Sequence, residues 1–217
     1  MTTTSHSVDG FAPARVAHRS RGFAAAVADF AQGDPVIIGY DGECVMALSA
    51  AAATPHTTAE LVRHGSGLLF VAMQSRRLRA LRIPAMPAEL DSRCSNSYVA
   101  VDVSAGITTG ISAVDRTTTI NMLSDPSSTP DTFRRPGHVV PVAADLVVGT
   151  VATAPQTVLM LASLAGGDTP AAAFTTLVSV DHPCENATAE EGPRIAEWLG
   201  RRFIDSRSVA TAFYGWR

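Results

Sequence analysis

The chain has 217 residues, 46% of them hydrophobic and 17% charged, with a formal net charge of −3 at pH 7. That length supports one sizeable core and a single domain, read here as residues 18–217 behind a polar, flexible segment 1–17. The charge gives no electrostatic case for nucleic acid or an anionic membrane as a partner.

No apolar run reaches the roughly 18 residues that a membrane span needs, and no signal-like segment opens the chain. Cys44, Cys94 and Cys184 cannot all pair and lack metal-ligand spacing, so they read as reduced thiols of a cytoplasmic protein.

In chain order, the pattern predicts a helix over Arg21–Ala31 with Phe23, Val27 and Phe30 on one face. Gly33-Asp34-Pro35 breaks it. Val36-Ile37-Ile38 reads as a buried strand, Tyr40-Asp41-Gly42 as a turn, and Cys44–Leu48 as the returning arm of a hairpin. A helix over Thr57–Arg63 leads to a strand over Leu68–Met73. Arg76, Arg77, Arg79 and Arg82 then fall on or near a short helix, as an anion site or a solvated face. Pro84 and Pro87 mark a loop, and Tyr98–Val103 alternates like a strand. Further on, Asp125–Pro130 is turn-rich, Val139–Val142 and Leu146–Val151 are strand candidates, and Thr157–Ala165 is an apolar helix ended by Gly166-Gly167. Phe174–Val180 reads as a strand and Thr188–Arg202 as an amphipathic helix with Ile195, Trp198 and Leu199 on one side. The aromatic tail Phe213-Tyr214-Gly215-Trp216-Arg217 packs on the body or on a partner. Mixed strands and helices without regular alternation indicate an α+β fold.

Chemistry concentrates between Gly106 and Val142. In Gly106-Ile107-Thr108-Thr109-Gly110, two glycines bracket two hydroxyls. Ser112 and Asp115 fit a capping box at the start of the next helix. Such a turn suits an anion or polar ligand, or is a tight turn before a capped helix. Arg134-Arg135-Pro136-Gly137-His138 closes the stretch. G-x-S-x-G, P-loop, G-x-G-x-x-G and H-E-x-x-H patterns do not occur.

Together with Arg63-His64-Gly65-Ser66-Gly67, the threonine turn, the S-A-V-D-R helix start and the R-P-G-H-V-V-P run resemble the 3,4-dihydroxy-2-butanone 4-phosphate synthase family, from about Gly33 to about Ala172. The resemblance implies a mixed β-sheet with helices on both faces. It also implies a homodimer whose sites lie at the subunit interface. The family's reaction turns ribulose 5-phosphate into dihydroxybutanone phosphate and formate, using carboxylates and a divalent metal.

Set against that family, this sequence departs at four places. The acidic loop after the first strand is reduced to Tyr40-Asp41-Gly42-Glu43-Cys44-Val45. Asp41 and Glu43 remain, as residual catalytic groups or as turn residues. Phe70 stands where the family has a cysteine. Val151-Ala152-Thr153-Ala154 replaces R-x-G-H, placing Ala154 at the metal-ligand histidine and Val151 at the arginine. Thr176 replaces a glutamate.

What the resemblance keeps is a polar rim: Arg63, His64, Ser66, Thr108, Thr109, Asp115, Arg116, Arg135 and His138. His138 is a candidate acid, base or donor across a dimer interface, or a structural histidine of the Pro-Gly turn. Asp115 and Arg116 read as an internal ion pair.

The expectation is a repurposed enzyme without metal or other cofactor. It would act by proton transfer, dehydration or cyclisation on a largely apolar small metabolite of specialised metabolism. His138, Asp41 and Glu43 are the catalytic candidates. Arg63, His64, Ser66, Phe70, Thr108, Thr109, Arg135, Val151, Ala154 and Thr176 are the substrate-binding ones. The alternatives are a binding protein or inactive partner subunit, and the family's own synthase reaction.

Overall fold

The computed structural model describes residues 13–87, 96–146 and 152–215, the first nine of these as backbone only. Helix α1 (Pro13–Ala31) leads into the hairpin β1 (Val36–Tyr40) and β2 (Glu43–Ser49). Helix α2 (Pro55–His64), β3 (Phe70–Met73), α3 (Ser75–Ala80), β4 (Val101–Val103) and α4 (Ala113–Ser124) follow. The chain ends with β5 (Phe133–Ala143), α5 (Ala154–Leu164), β6 (Ala171–Thr176), α6 (Gly192–Leu199), β7 (Arg202–Asp205) and α7 (Ser206–Gly215).

One sheet of seven strands, ordered β4-β5-β3-β6-β2-β1-β7, carries the fold. β1–β7 and β3–β5 pair parallel and the other neighbours antiparallel, so the sheet is mixed. Its strands alternate. Ile37, Met46, Leu48, Val71 and Ala173 face α2, α3, α4 and α6, whereas Val36, Ile38, Val45, Ala47 and Phe174 face α1, α5 and α7. Both faces are covered, which is why the strands read as nearly unbroken apolar runs. Among the described residues no helix is long and apolar enough to cross a membrane.

Local chemistry sets the joints. Asp41 and Gly42 both have positive φ, 36° and 83°, which a two-residue hairpin turn of the favoured hand requires. Thr54 and Thr57 form a reciprocal capping box that starts α2 at Pro55. Gly200, with φ of 64°, ends α6.

Several sequence expectations shift. α1 begins at Pro13, eight residues before the expected Arg21. β6 spans Ala171–Thr176, not Phe174–Val180: its three alanines, weak strand formers, are held in the sheet by pairing with β2 and β3 on either side. The helix expected over Thr188–Arg202 is only α6. It stops at Gly200, and from Arg202 the chain runs as the strand β7, paired parallel with β1. Trp198 stands 64% exposed, although it lies one turn from the buried Ile195. Within the tail, α7 buries Phe213 against the sheet. Leu146 lies outside any strand, and residues 147–151 lie outside the described residues, as do Cys94 and Trp216.

Candidate functional site

Cross-strand partners share a face, so the register collects one group of predicted residues. Val45 lies opposite Thr176, Phe70 opposite Phe174, and Tyr40 opposite Glu43. All are on the face covered by α1, α5 and α7. The Phe70 and Phe174 rings stack with centroids 5.3 Å apart. Ser66 joins the group by donating its backbone N–H to the Thr176 carbonyl at 3.0 Å. Ala154 is the first residue of α5 and is buried beneath the same face. Val151 lies outside the described residues.

The hairpin supplies the acids. Asp41 is exposed at the turn. Glu43 is already engaged: the Tyr40 hydroxyl donates to Oε2 at 2.8 Å, and Asn186 donates to Oε1 at 3.4 Å. Burial first, then the Glu43 carboxylate, pushes the Tyr40 phenol up, so it remains a donor.

A second group forms around the threonine turn. Asp115 is buried and holds the turn with one carboxylate. The Thr108 hydroxyl donates to it at 2.8 Å, the Gly110 N–H at 2.9 Å and the Thr108 N–H at 3.3 Å. The Thr108 hydroxyl is the main reason its carboxyl titrates below the usual carboxylate range. Ser112 caps α4 by accepting from the Asp115 N–H at 3.0 Å, but the Asp115 side chain does not return to the cap as a capping box requires. Nor does it pair with Arg116, whose Nε donates to the Ile111 carbonyl at 2.7 Å.

The turn abuts His138. Its Nδ1 lies 2.9 Å from Oδ2 of Asp102, and its backbone N–H donates to Oδ1 of the same residue at 2.9 Å. Asp102 is 1% exposed. Sequence reasoning missed it; its only signal is an acid between two apolar residues of a short strand.

The remaining rim residues go elsewhere. Arg63 and His64 line a groove of about 400 Å³ with Glu60, Trp198 and Arg201. Trp198 meets the His64 ring edge-on at 5.5 Å, and burial lowers the His64 pKa. Arg135 donates to the carbonyls of Leu81 at 2.9 Å and Phe133 at 3.3 Å, tying β5 to the end of α3. Of the clustered arginines, Arg77 likewise donates to the carbonyls of Asp125 and Ser128 and fixes the loop after α4.

A model of the 3,4-dihydroxy-2-butanone 4-phosphate synthase family matches residues 24–211. The chain belongs to this family. It is 33% identical over 187 residues to the 3,4-dihydroxy-2-butanone 4-phosphate synthase of Chromobacterium violaceum, a match covering 82% of this chain and 85% of that protein. To a probable bifunctional riboflavin biosynthesis protein of Oryza sativa subsp. japonica it is 38% identical over 126 residues, 54% of this chain but only 22% of the longer protein. The synthase of Candida albicans superposes with a TM-score of 0.78 at 26% identity, covering 87% of this chain and 95% of that one. A synthase solved with two magnesium ions gives 0.75 at 28% identity, covering 85% and 92%.

Magnesium in that relative raises the question of fit. Among the described residues no three His, Cys, Asp or Glu side chains are grouped so as to hold a metal ion. Asp41 and Glu43 are the acids at the hairpin, and Glu43 has partners already. A hard divalent cation takes about six oxygen ligands. The described side chains therefore do not fit a tightly held cation.

Proposed function

We propose that the chain transforms a small metabolite at the end of the sheet where Glu43, Ser66, Phe70 and Thr176 meet. The reading with the broadest support is the family's own reaction, in which ribulose 5-phosphate gives dihydroxybutanone phosphate and formate. One observation carries it: identity of 33% across 82% of this chain with a protein named for that synthase. The retained threonine turn and R-P-G-H run agree. His138 serves as the proton acceptor or donor across the homodimer interface proposed below. Any cation would be drawn from solution and held mostly through water.

A second reading is favoured by the side chains themselves. Phe70, stacked on Phe174, the buried Ala154 and the uncharged Thr176 stand where the family, by resemblance, has a cysteine, a metal-ligand histidine and a glutamate. On this reading the site is metal-independent and takes a largely apolar molecule of specialised metabolism. Formate release from ribulose 5-phosphate, with magnesium or with chelator, separates the two. Magnesium-dependent release supports the first. No release, from protein whose fold is intact, removes it and leaves the second.

We also propose a homodimer with the site at its interface. Ile111 and Val114, beside the threonine turn, are 54% and 58% exposed, which suits a buried contact with a second copy. Sedimentation as a monomer at micromolar concentration would contradict it. The unpaired thiols Cys44 and Cys184 suit a cytoplasmic setting.

A further inference from the structure

We infer that Asp102 is a positioning residue for His138: it selects the ring tautomer protonated on Nδ1 and so presents Nε2 as the proton acceptor. The inference rests on the reading above that His138 moves protons at the site.

The backbone builds the pair deliberately. Between Val101 and Asp102 the register of β4 on β5 jumps, from Val139 to Arg134. The residues between, Arg135 to His138, therefore form an excursion of β5 lying over β4. Gly137 permits the approach, since a Cβ there would sit 2.0 Å from the Val101 carbonyl carbon and 2.2 Å from the Asp102 nitrogen. That excursion sets His138 onto Asp102 by backbone and ring together.

Each carboxylate oxygen then has a separate task. Oδ1 accepts the His138 N–H, which fixes the rotation of the carboxylate. Oδ2 faces Nδ1 at 2.9 Å. An ionised carboxylate only accepts, so Nδ1 must carry the proton, and the neutral ring then has its lone pair on Nε2. The Arg134 guanidinium also lies 3.7 Å from Oδ2. Gly110 closes the other side: a Cβ there would lie 2.1 Å from Oδ2 and 2.7 Å from Nδ1. The Asp102 side chain is 2% exposed and that of His138 40%, so the ring projects from a buried anchor.

The test is the tautomer, read from ¹⁵N chemical shifts of the His138 ring at about pH 9, where an ordinary imidazole is neutral. Wild-type protein should show the Nδ1–H form. In Asp102→Asn, the single amide oxygen is taken by the His138 N–H, which turns the NH₂ toward Nδ1 and should switch the ring to Nε2–H. A wild-type ring protonated on Nε2, or an unchanged tautomer in folded Asp102→Asn, overturns the inference. Should the variant not fold, the wild-type spectrum still decides. With ribulose 5-phosphate as probe, Asp102→Asn should lower kcat on the order of 10²-fold and leave KM nearly unchanged. A switched tautomer with full turnover in both Asp102→Asn and His138→Gln would uphold the positioning and refute the catalytic reading of His138.

Discussion

Replacing Gly110 by alanine asks whether the threonine turn is seated on the Asp102–His138 pair. Gly110 has φ of +88°, a conformation that costs a residue with a Cβ about 1–2 kcal/mol. The new methyl would also lie 2.1 Å from Oδ2 of Asp102 and 2.7 Å from Nδ1 of His138, so the pair or the turn must move. Overpacking of this kind typically costs about 1–3 kcal/mol. The sum is about 2–5 kcal/mol, or roughly 4–20 °C in Tm for a chain of this size. Gly106→Ala is the matched reference: φ is +77° with nothing within 4 Å of the added Cβ, so only the backbone cost applies. Urea unfolding of both variants reads the difference, expected to be about 1–3 kcal/mol. Equal losses at the two positions would refute the packing of the turn against the pair.

Acid should loosen the same region. Hydrogen bonds, with that from the Thr108 hydroxyl foremost, hold the Asp115 pKa below its unfolded value. Its stabilisation is therefore complete above the unfolded value and is lost as pH falls through the folded one. Asp115→Asn should be less stable at neutral pH and lose less than wild type on acidification below about pH 4; parallel pH profiles would contradict this. Thiol labelling should divide the cysteines. Cys44 is buried, its Sγ–H donates to the Thr188 carbonyl at 3.0 Å, and burial pushes its pKa up to about 12, whereas Cys184 is exposed. Cys184 should react in native protein and Cys44 only after unfolding; rapid labelling of Cys44 in the native state would show that this face opens.

Much of the fold was legible because its signals are local. Asp41-Gly42 between apolar runs gives the hairpin, and the covered strands read as buried from Val36-Ile37-Ile38 alone. What escaped depends on distant pairing. Arg202–Asp205 has little strand character by itself and becomes β7 only because β1 offers a parallel edge. Ala171-Ala172-Ala173 is a weak strand signal that pairing with β2 and β3 on either side overrides. At the site, the motifs located the threonine turn and His138, but not their link. Asp102 stands 36 residues before His138 and reaches it through a register shift that no periodicity announces. Arg135 belongs to the same motif as His138 yet donates to the Leu81 carbonyl, because both lie on the excursion of β5 between Arg134 and Val139, outside the regular alternation of the strand.

Magnesium titration of the purified protein, followed by calorimetry and paired with elemental analysis of protein prepared without chelator, bears most directly on the site. With Ala154 at the start of α5 and Glu43 bonded to Tyr40, the described side chains provide no grouped ligands. No stoichiometric metal and only weak, roughly millimolar binding are expected. One tightly bound divalent ion per chain would contradict it.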